Sequence, residues 1–187
     1  MEIRPITDEE ELKYFFRIRY KVFTENDENI PNALFPDGIW KDDEDDYAFH
    51  LGSYEGDSLL GAVSVVIRDT PENIDKKLHD IESDPFNLVC EKESAEIKIL
   101  LLIDENIGND IFIRGKAVED LFNATNELLI AHNVKYAYLL ALERTKDIYE
   151  KAGYVPIGEF NMYKGAFWTC PMKLTIKNGQ LPKPILR

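Results

Sequence analysis

The sequence predicts a mixed α/β sandwich with one central sheet, and three observations carry that expectation. Strand-like and helix-like stretches interleave along the chain. One run, Ile97-Lys98-Ile99-Leu100-Leu101-Leu102-Ile103, is nearly continuous in apolar residues, as the centre of a sheet covered on both faces requires. Finally, 187 residues with 44% hydrophobic side chains supply one sizeable core and leave little for an independent second one. The expected organisation is a single domain over 1–178 and a tail at 179–187.

Residues 1–5 read as a short first strand. Thr7-Asp8-Glu9-Glu10 then gives a helix N-cap with acids in the first turn. Leu12, Phe15, Phe16, Ile18, Arg19 and Phe23 recur at helical spacing and carry a first helix to about Phe23. Asn, Pro, Gly and many acids over 24–46 make a long loop, with Phe35, Ile39 and Trp40 as its own apolar anchors. Stretches 47–54 and 59–68 alternate or are β-branched, and Glu55-Gly56-Asp57-Ser58 joins them as a hairpin. One or two helical turns are expected over 75–81, and the strongest strand over 95–103. Gly108-Asn109-Asp110 breaks the chain, after which Val118, Leu121, Phe122, Thr125, Leu128, Leu129 and Ala131 give a helix ending at His132-Asn133. A strand over 134–142, a helix over 145–152 stopped by Gly153, and strands over 154–160 and 171–176 complete the reading.

The net charge of −13 repels phosphate backbones and argues against sequence-independent nucleic-acid binding, while it attracts a cationic amine; the same acidity also serves solubility. Cys90 and Cys170 lack partners at metal spacing, and His50, His79 and His132 stand singly, so no metal is expected. Charged and polar residues follow Met1, and no stretch approaches the ~20 apolar residues of a membrane span. A cytoplasmic protein with reduced thiols is the expectation.

Two motifs point to chemistry. Ile113-Arg114-Gly115-Lys116-Ala117-Val118 opens an amphipathic segment, and Tyr149-Glu150-Lys151-Ala152-Gly153-Tyr154 follows later. A glycine-containing loop at a helix start presents backbone N–H groups to a pyrophosphate. In this order the pair resembles the acyl-coenzyme A site of GNAT N-acyltransferases. Their loop reads Arg/Gln-x-x-Gly-x-Gly/Ala: Gly115-Lys116-Ala117 matches its second half, Arg114 stands where Arg is usual, and Phe112 takes the place of Gln or Arg. The resemblance implies the α/β (α+β) GNAT fold, a central mixed twisted sheet of about six to seven strands flanked by about four helices. It also implies a pyrophosphate site on the loop 108–117 and the first helical turn, covering Arg114, Gly115, Lys116, Ala117 and Val118.

The remaining roles follow from the same resemblance. The strand ending at Leu102-Ile103 is similar to the family's fourth strand, whose backbone pairs with the pantetheine arm, and an N–H of Leu102 or Ile103 would polarise the thioester carbonyl. Tyr149 lies in a segment similar to the family's Tyr-Glu-Lys-x-Gly-Phe and would protonate the leaving thiolate; by periodicity alone it is a helix aromatic. Glu96 resembles the Glu that receives the amine proton, often through water, or is a carboxylate paired with Lys98.

The first half carries a narrower resemblance. Arg19-Tyr20-Lys21-Val22-Phe23, then Phe35-Pro36-Asp37-Gly38-Ile39-Trp40 and Asp43-Glu44-Asp45-Asp46, look like the front of acyl-homoserine lactone synthases and N-acyl amino acid synthases. By that resemblance Arg19, Phe23, Trp40, Asp43 and Asp46 build donor and acceptor pockets, and Phe15, Phe16, Phe23, Phe35, Trp40 and Phe49 could line an acyl tunnel or fill a core. Two arginines of that branch are replaced, by Ser64 and Ile99. The expected activity is acyl transfer from acyl-CoA or acetyl-CoA, or from an acyl carrier protein, to a primary amine by direct attack. The alternatives are a plain acetyltransferase of a small amine or protein N-terminus, and a non-catalytic coenzyme-binding domain.

Overall fold

In the computed structural model of the chain, residues 1–24, 35–68, 91–163 and 167–177 are described. The Asp8 carboxylate accepts the N–H groups of Glu10 and Glu11, 3.1 Å each, and so starts helix α1 (Glu9–Thr24). Glu9, Glu10 and Glu11 occupy its first turn and Lys21 its last, complementing the helix dipole. Three further helices follow: α2 (Asp104–Ile107), α3 (Ile111–Ala131) and α4 (Glu143–Lys151).

Among the described residues eight strands make the sheet: β1 (Glu2–Pro5), β2 (Phe49–Glu55), β3 (Ser58–Arg68), β4 (Ser94–Leu102), β5 (Tyr136–Leu142), β6 (Val155–Pro156), β7 (Asn161–Tyr163) and β8 (Phe167–Thr175). The order is β1-β2-β3-β4-β5-β8-β6, with β7 also on β8. The expected mixed sheet with four flanking helices is present.

The chain divides into two compact units, 1–66 with 99–125, and 67–98 with 126–187. In the first, β1 pairs antiparallel with β2 from Glu2 opposite Tyr54 to Pro5 opposite Leu51. The β2–β3 hairpin turns at Gly56, whose φ of +59° is the left-handed conformation that glycine adopts without strain. The inner face of α1 places Phe15, Phe16 and Ile18 against Ile6, Tyr54, Leu59 and Leu101. A second cluster, Leu60, Ile107 and Ala117 with Leu102 and Ile113 packed on it, fixes α2 and the start of α3.

In the second unit β4 pairs in parallel with β5 at Ser94–Glu96 against Tyr136–Tyr138. β5 runs antiparallel to β8 from Tyr136 opposite Thr175 to Leu142 opposite Thr169. Helix α4 packs on β5 and β8, and Gly153, at φ +95°, follows its C-cap Ala152. Asn133, at φ +54°, is the left-handed residue just past α3.

Three elements differ from the sequence reading. Helix α3 starts at Ile111 and not near Val118, because Asp110 caps it, and the short α2 precedes it. Of the strand expected over 154–160 only β6, Val155–Pro156, is present, a further short strand, β7, follows it, and the last strand begins earlier, at Phe167. The turns expected over 75–81, Cys90, His79 and the tail from 179 lie outside the described residues. Among the described residues no helix is long and apolar enough to cross a membrane, and no group of His, Cys, Asp or Glu side chains could hold a metal ion.

Candidate acyl-transfer site

The first unit contains a buried polar network centred on Arg19. The inward face of α1 carries this guanidinium to 1% exposure, where an unpaired charge would be very costly. Its Nη1 donates to Asp45 Oδ2 and its Nη2 to Asp42 Oδ2, both at 2.8 Å. The two acids come from a 3₁₀ helix, Asp43–Asp46, preceded by Asp42 as its cap, and the Asp42 N–H donates to Asp45 Oδ2 at 2.7 Å. The Arg19 guanidinium lies 5.4 Å from the Trp40 ring centroid, and Trp40 in turn meets Phe23 and stacks on Phe35, 4.7 Å between centroids.

Asp43 and Asp46, expected to face an acceptor, are exposed, and Asp46 pairs with Lys41 at 2.5 Å. The carboxylates turned to Arg19 are Asp42 and Asp45. The run Asp42-Asp43-Glu44-Asp45-Asp46 holds two overlapping Asp-x-x-Asp pairs, and spacing alone cannot choose between them. Only the 3₁₀ turn, with about three residues per turn, decides which pair shares the inward face.

Ser64, where the resemblance expects an arginine, lies 2.9 Å from His50 Nδ1, and His50 Nε2 is 3.0 Å from the Asp45 carbonyl. Since that carbonyl only accepts, Nε2 carries the proton. His50 thus ties β2 to the turn that presents Asp45. Of the expected tunnel aromatics, Phe15 and Phe16 are buried in the core and Phe49 is exposed, while Phe23, which packs against that core, also meets Trp40, and Trp40 stacks on Phe35.

The second feature of this unit is the start of α3. Asp110 Oδ1 accepts the N–H groups of Phe112 and Ile113 at 2.9 and 3.1 Å, and its carbonyl accepts that of Arg114 at 3.0 Å. Gly115, Lys116, Ala117 and Val118, expected at the loop and the first turn, instead lie inside the helix, where their N–H groups bond within α3. Arg114 Nη2 donates to Asp104 Oδ1 at 2.6 Å, Lys116 pairs with Asp120, and Ala117 is fully buried. Nothing lies within 4 Å of a Cβ built on Gly115, and its backbone is helical. Gly115→Ala is therefore expected to stabilise the protein by about 1 kcal/mol and raise Tm by roughly 2–4 °C, read by thermal denaturation.

At the end of β4 the Ile103 N–H donates to the Leu60 carbonyl at 2.8 Å, which removes it as a donor to a thioester. Successive N–H groups alternate sides of an extended strand, so that of Leu102 points away from β3.

The second unit holds the other two candidates. Glu96 is fully buried in β4, and its Oε2 accepts from Arg68 Nη2 at 2.5 Å; Arg68, at the end of β3, is equally buried. Sequence reading passed over Arg68 because a single arginine closing a strand carries no spacing signal.

Tyr149, on α4, meets Tyr154 edge to face, with ring centroids 5.8 Å apart, and desolvation pushes its phenol up to about 12. Tyr154 is pushed up further, also by burial. The consequence for stability has a definite sign. Above the ordinary tyrosine pKa of about 10 the unfolded chain loses protons that the folded Tyr149 keeps until about 12. Stability therefore falls as pH rises across that window. Thermal melts between pH 9 and 12 should show this decline, flatter in Tyr149→Phe.

The sequence matches no family model and no curated protein sequence. Among solved structures the chain is similar to BjaI, a CoA-dependent acyl-homoserine lactone synthase, with a TM-score of 0.70 at 19% identity, covering 94% of this chain and 83% of that one. It is also similar to FeeM, an N-acyl amino acid synthase from uncultured soil microbes, with a TM-score of 0.65 at 13% identity and coverage of 95% and 91%. A third likeness is to a putative N-acetyltransferase from Lactobacillus plantarum, TM-score 0.57 at 13% identity, covering 92% of this chain and 95% of that one. The chain has the fold shared by these N-acyltransferases, the GNAT fold.

Proposed function

We propose that the protein is an N-acyltransferase that moves an acyl group from a pantetheine thioester such as acyl-CoA to a primary amine by direct attack. The observation that carries this is the pairing of a GNAT fold with a desolvated, protonated tyrosine on α4. In the reaction the amine nitrogen attacks the thioester carbonyl, a C–N bond forms, the C–S bond breaks, and one amine proton ends on the departing sulfur. Leu102 N–H is the donor left to polarise the carbonyl, and Glu96 takes the amine proton through water. The Tyr149 phenol donates to the sulfur. With a phenol near 12 and a thiol near 8.5, complete transfer from Tyr149 is uphill by roughly 5 kcal/mol, so the phenol acts as a hydrogen-bond donor to the departing thiolate; water supplies the proton that ends on sulfur and takes back the one that Glu96 received, so the net transfer is from amine to thiol.

The acceptor reading rests on the Arg19 network. Among the described residues Asp45 Oδ1 is buried without a hydrogen-bond partner, and a carboxylate oxygen so placed suits an ammonium group. Arg19, Phe23 and Trp40 shape that end, and an amino acid or other small amine is the acceptor class. The likeness to a lactone synthase and an N-acyl amino acid synthase favours a donor longer than acetyl, and the likeness to a putative N-acetyltransferase favours the plain acetyl reading. Amide formation with acetyl-, octanoyl- and palmitoyl-CoA against a panel of amino acids separates them. A kcat/KM that rises with chain length supports the synthase-like reading, equal values support an acetyltransferase, and no amide with any donor removes the enzymatic reading.

A further inference from the structure

The start of α3 is the place where a coenzyme diphosphate would be held, and its residues do not fit that group. Two of the N–H groups that a helix start offers to an anion, those of Phe112 and Ile113, are already taken by the Asp110 carboxylate, and that of Arg114 makes the first bond inside the helix. A diphosphate would have to displace one anion to seat another. The basic side chains nearby are turned to acids: Arg114 to Asp104 and Lys116 to Asp120. Phe112, 82% exposed, offers a phosphate oxygen nothing. The net charge of −13 adds repulsion at longer range.

We infer that this protein recognises its donor by the acyl-pantetheine arm and not by the diphosphate and nucleotide, so that pantetheine thioesters lacking both are substrates in their own right. The inference rests on the acyl-transfer reading and narrows it. Acyl-CoA and an acylated carrier protein present the same arm, and both remain donors in this scheme. The chemistry is unchanged: the thioester C–S bond breaks, the amide C–N bond forms, and the sulfur leaves as the free thiol of pantetheine.

The test compares kcat/KM for octanoyl-CoA, octanoyl-pantetheine and octanoyl carrier protein with one amine acceptor, in the full chain and in Asp110→Ser, which keeps a neutral cap. Expected are values for octanoyl-CoA and octanoyl-pantetheine within about fivefold of each other, and a ratio that Asp110→Ser leaves unchanged. A large preference for the carrier protein over both small donors would overturn the arm as the feature recognised, because octanoyl-pantetheine presents the same arm. A preference of 100-fold or more for octanoyl-CoA over octanoyl-pantetheine, widening in Asp110→Ser, would show that the diphosphate binds at α3 and overturn the inference while leaving acyl transfer intact. Absence of amide from every donor would overturn both.

Discussion

Tyr149→Phe is expected to lower kcat by about 10²- to 10⁴-fold and to leave the donor KM within about twofold, as measured by steady-state kinetics on the best donor found. The substitution keeps the ring, its edge-to-face contact with Tyr154 and its packing, and removes only the hydroxyl. What is lost is a donor that acts only as negative charge gathers on sulfur, so turnover changes and ground-state binding does not. The wild-type pH profile has a matching signature. Because burial holds the phenol near 12, kcat/KM should rise as the acceptor amine deprotonates and show no fall from Tyr149 at any pH below that value. Unchanged turnover in Tyr149→Phe would remove Tyr149 from the reaction.

The second large effect concerns stability. Arg19→Ala should cost about 3–5 kcal/mol, because it leaves the Asp45 carboxylate buried without its counter-charge. Against a total of about 5–15 kcal/mol that is a large share, and chemical denaturation would show a lower midpoint or no folded baseline. Asp45→Asn should cost more than Asp42→Asn, since the Asp45 side chain is fully buried whereas 21% of that of Asp42 remains accessible. Arg19→Lys should rescue little. One ammonium cannot reproduce the fork that places Nη1 and Nη2 on two carboxylates at 2.8 Å each. If Arg19→Ala and wild type unfold at the same denaturant concentration, the network contributes nothing to the fold.

Sequence and structure agree where the signal is local and periodic. The Asp8 cap, the helical spacing through Phe23, the Gly56 turn and the apolar run of β4 each depend on nearest neighbours, and each is where the residues place it. The start of α3 was not legible in this way. Ile111, Phe112 and Ile113 give no amphipathic phase, and Gly115 reads as a loop residue; the deciding fact is a single Asp110 side chain folding back on two N–H groups. The buried pairs were also beyond reach. Arg68 meets Glu96 across 28 positions of chain, and Arg19 meets Asp45 across 26, so neither partner announces the other. That Asp42 and Asp45 are the acids turned to Arg19 was not legible for a different reason: the resemblance specified a spacing, and the acidic run satisfies that spacing twice.

The chain has two tryptophans. Trp40, 3% exposed beside the Arg19 guanidinium, belongs to the first unit, while Trp168, 49% exposed and stacked on Phe160, belongs to the second. Nature has thus supplied one fluorophore per unit with opposite optical character: a shielded indole emitting to the blue and a hydrated one open to acrylamide. Trp168→Phe and Trp40→Phe would each isolate one signal, and the two melting curves laid over each other would report whether the protein comes apart in one cooperative event or in two.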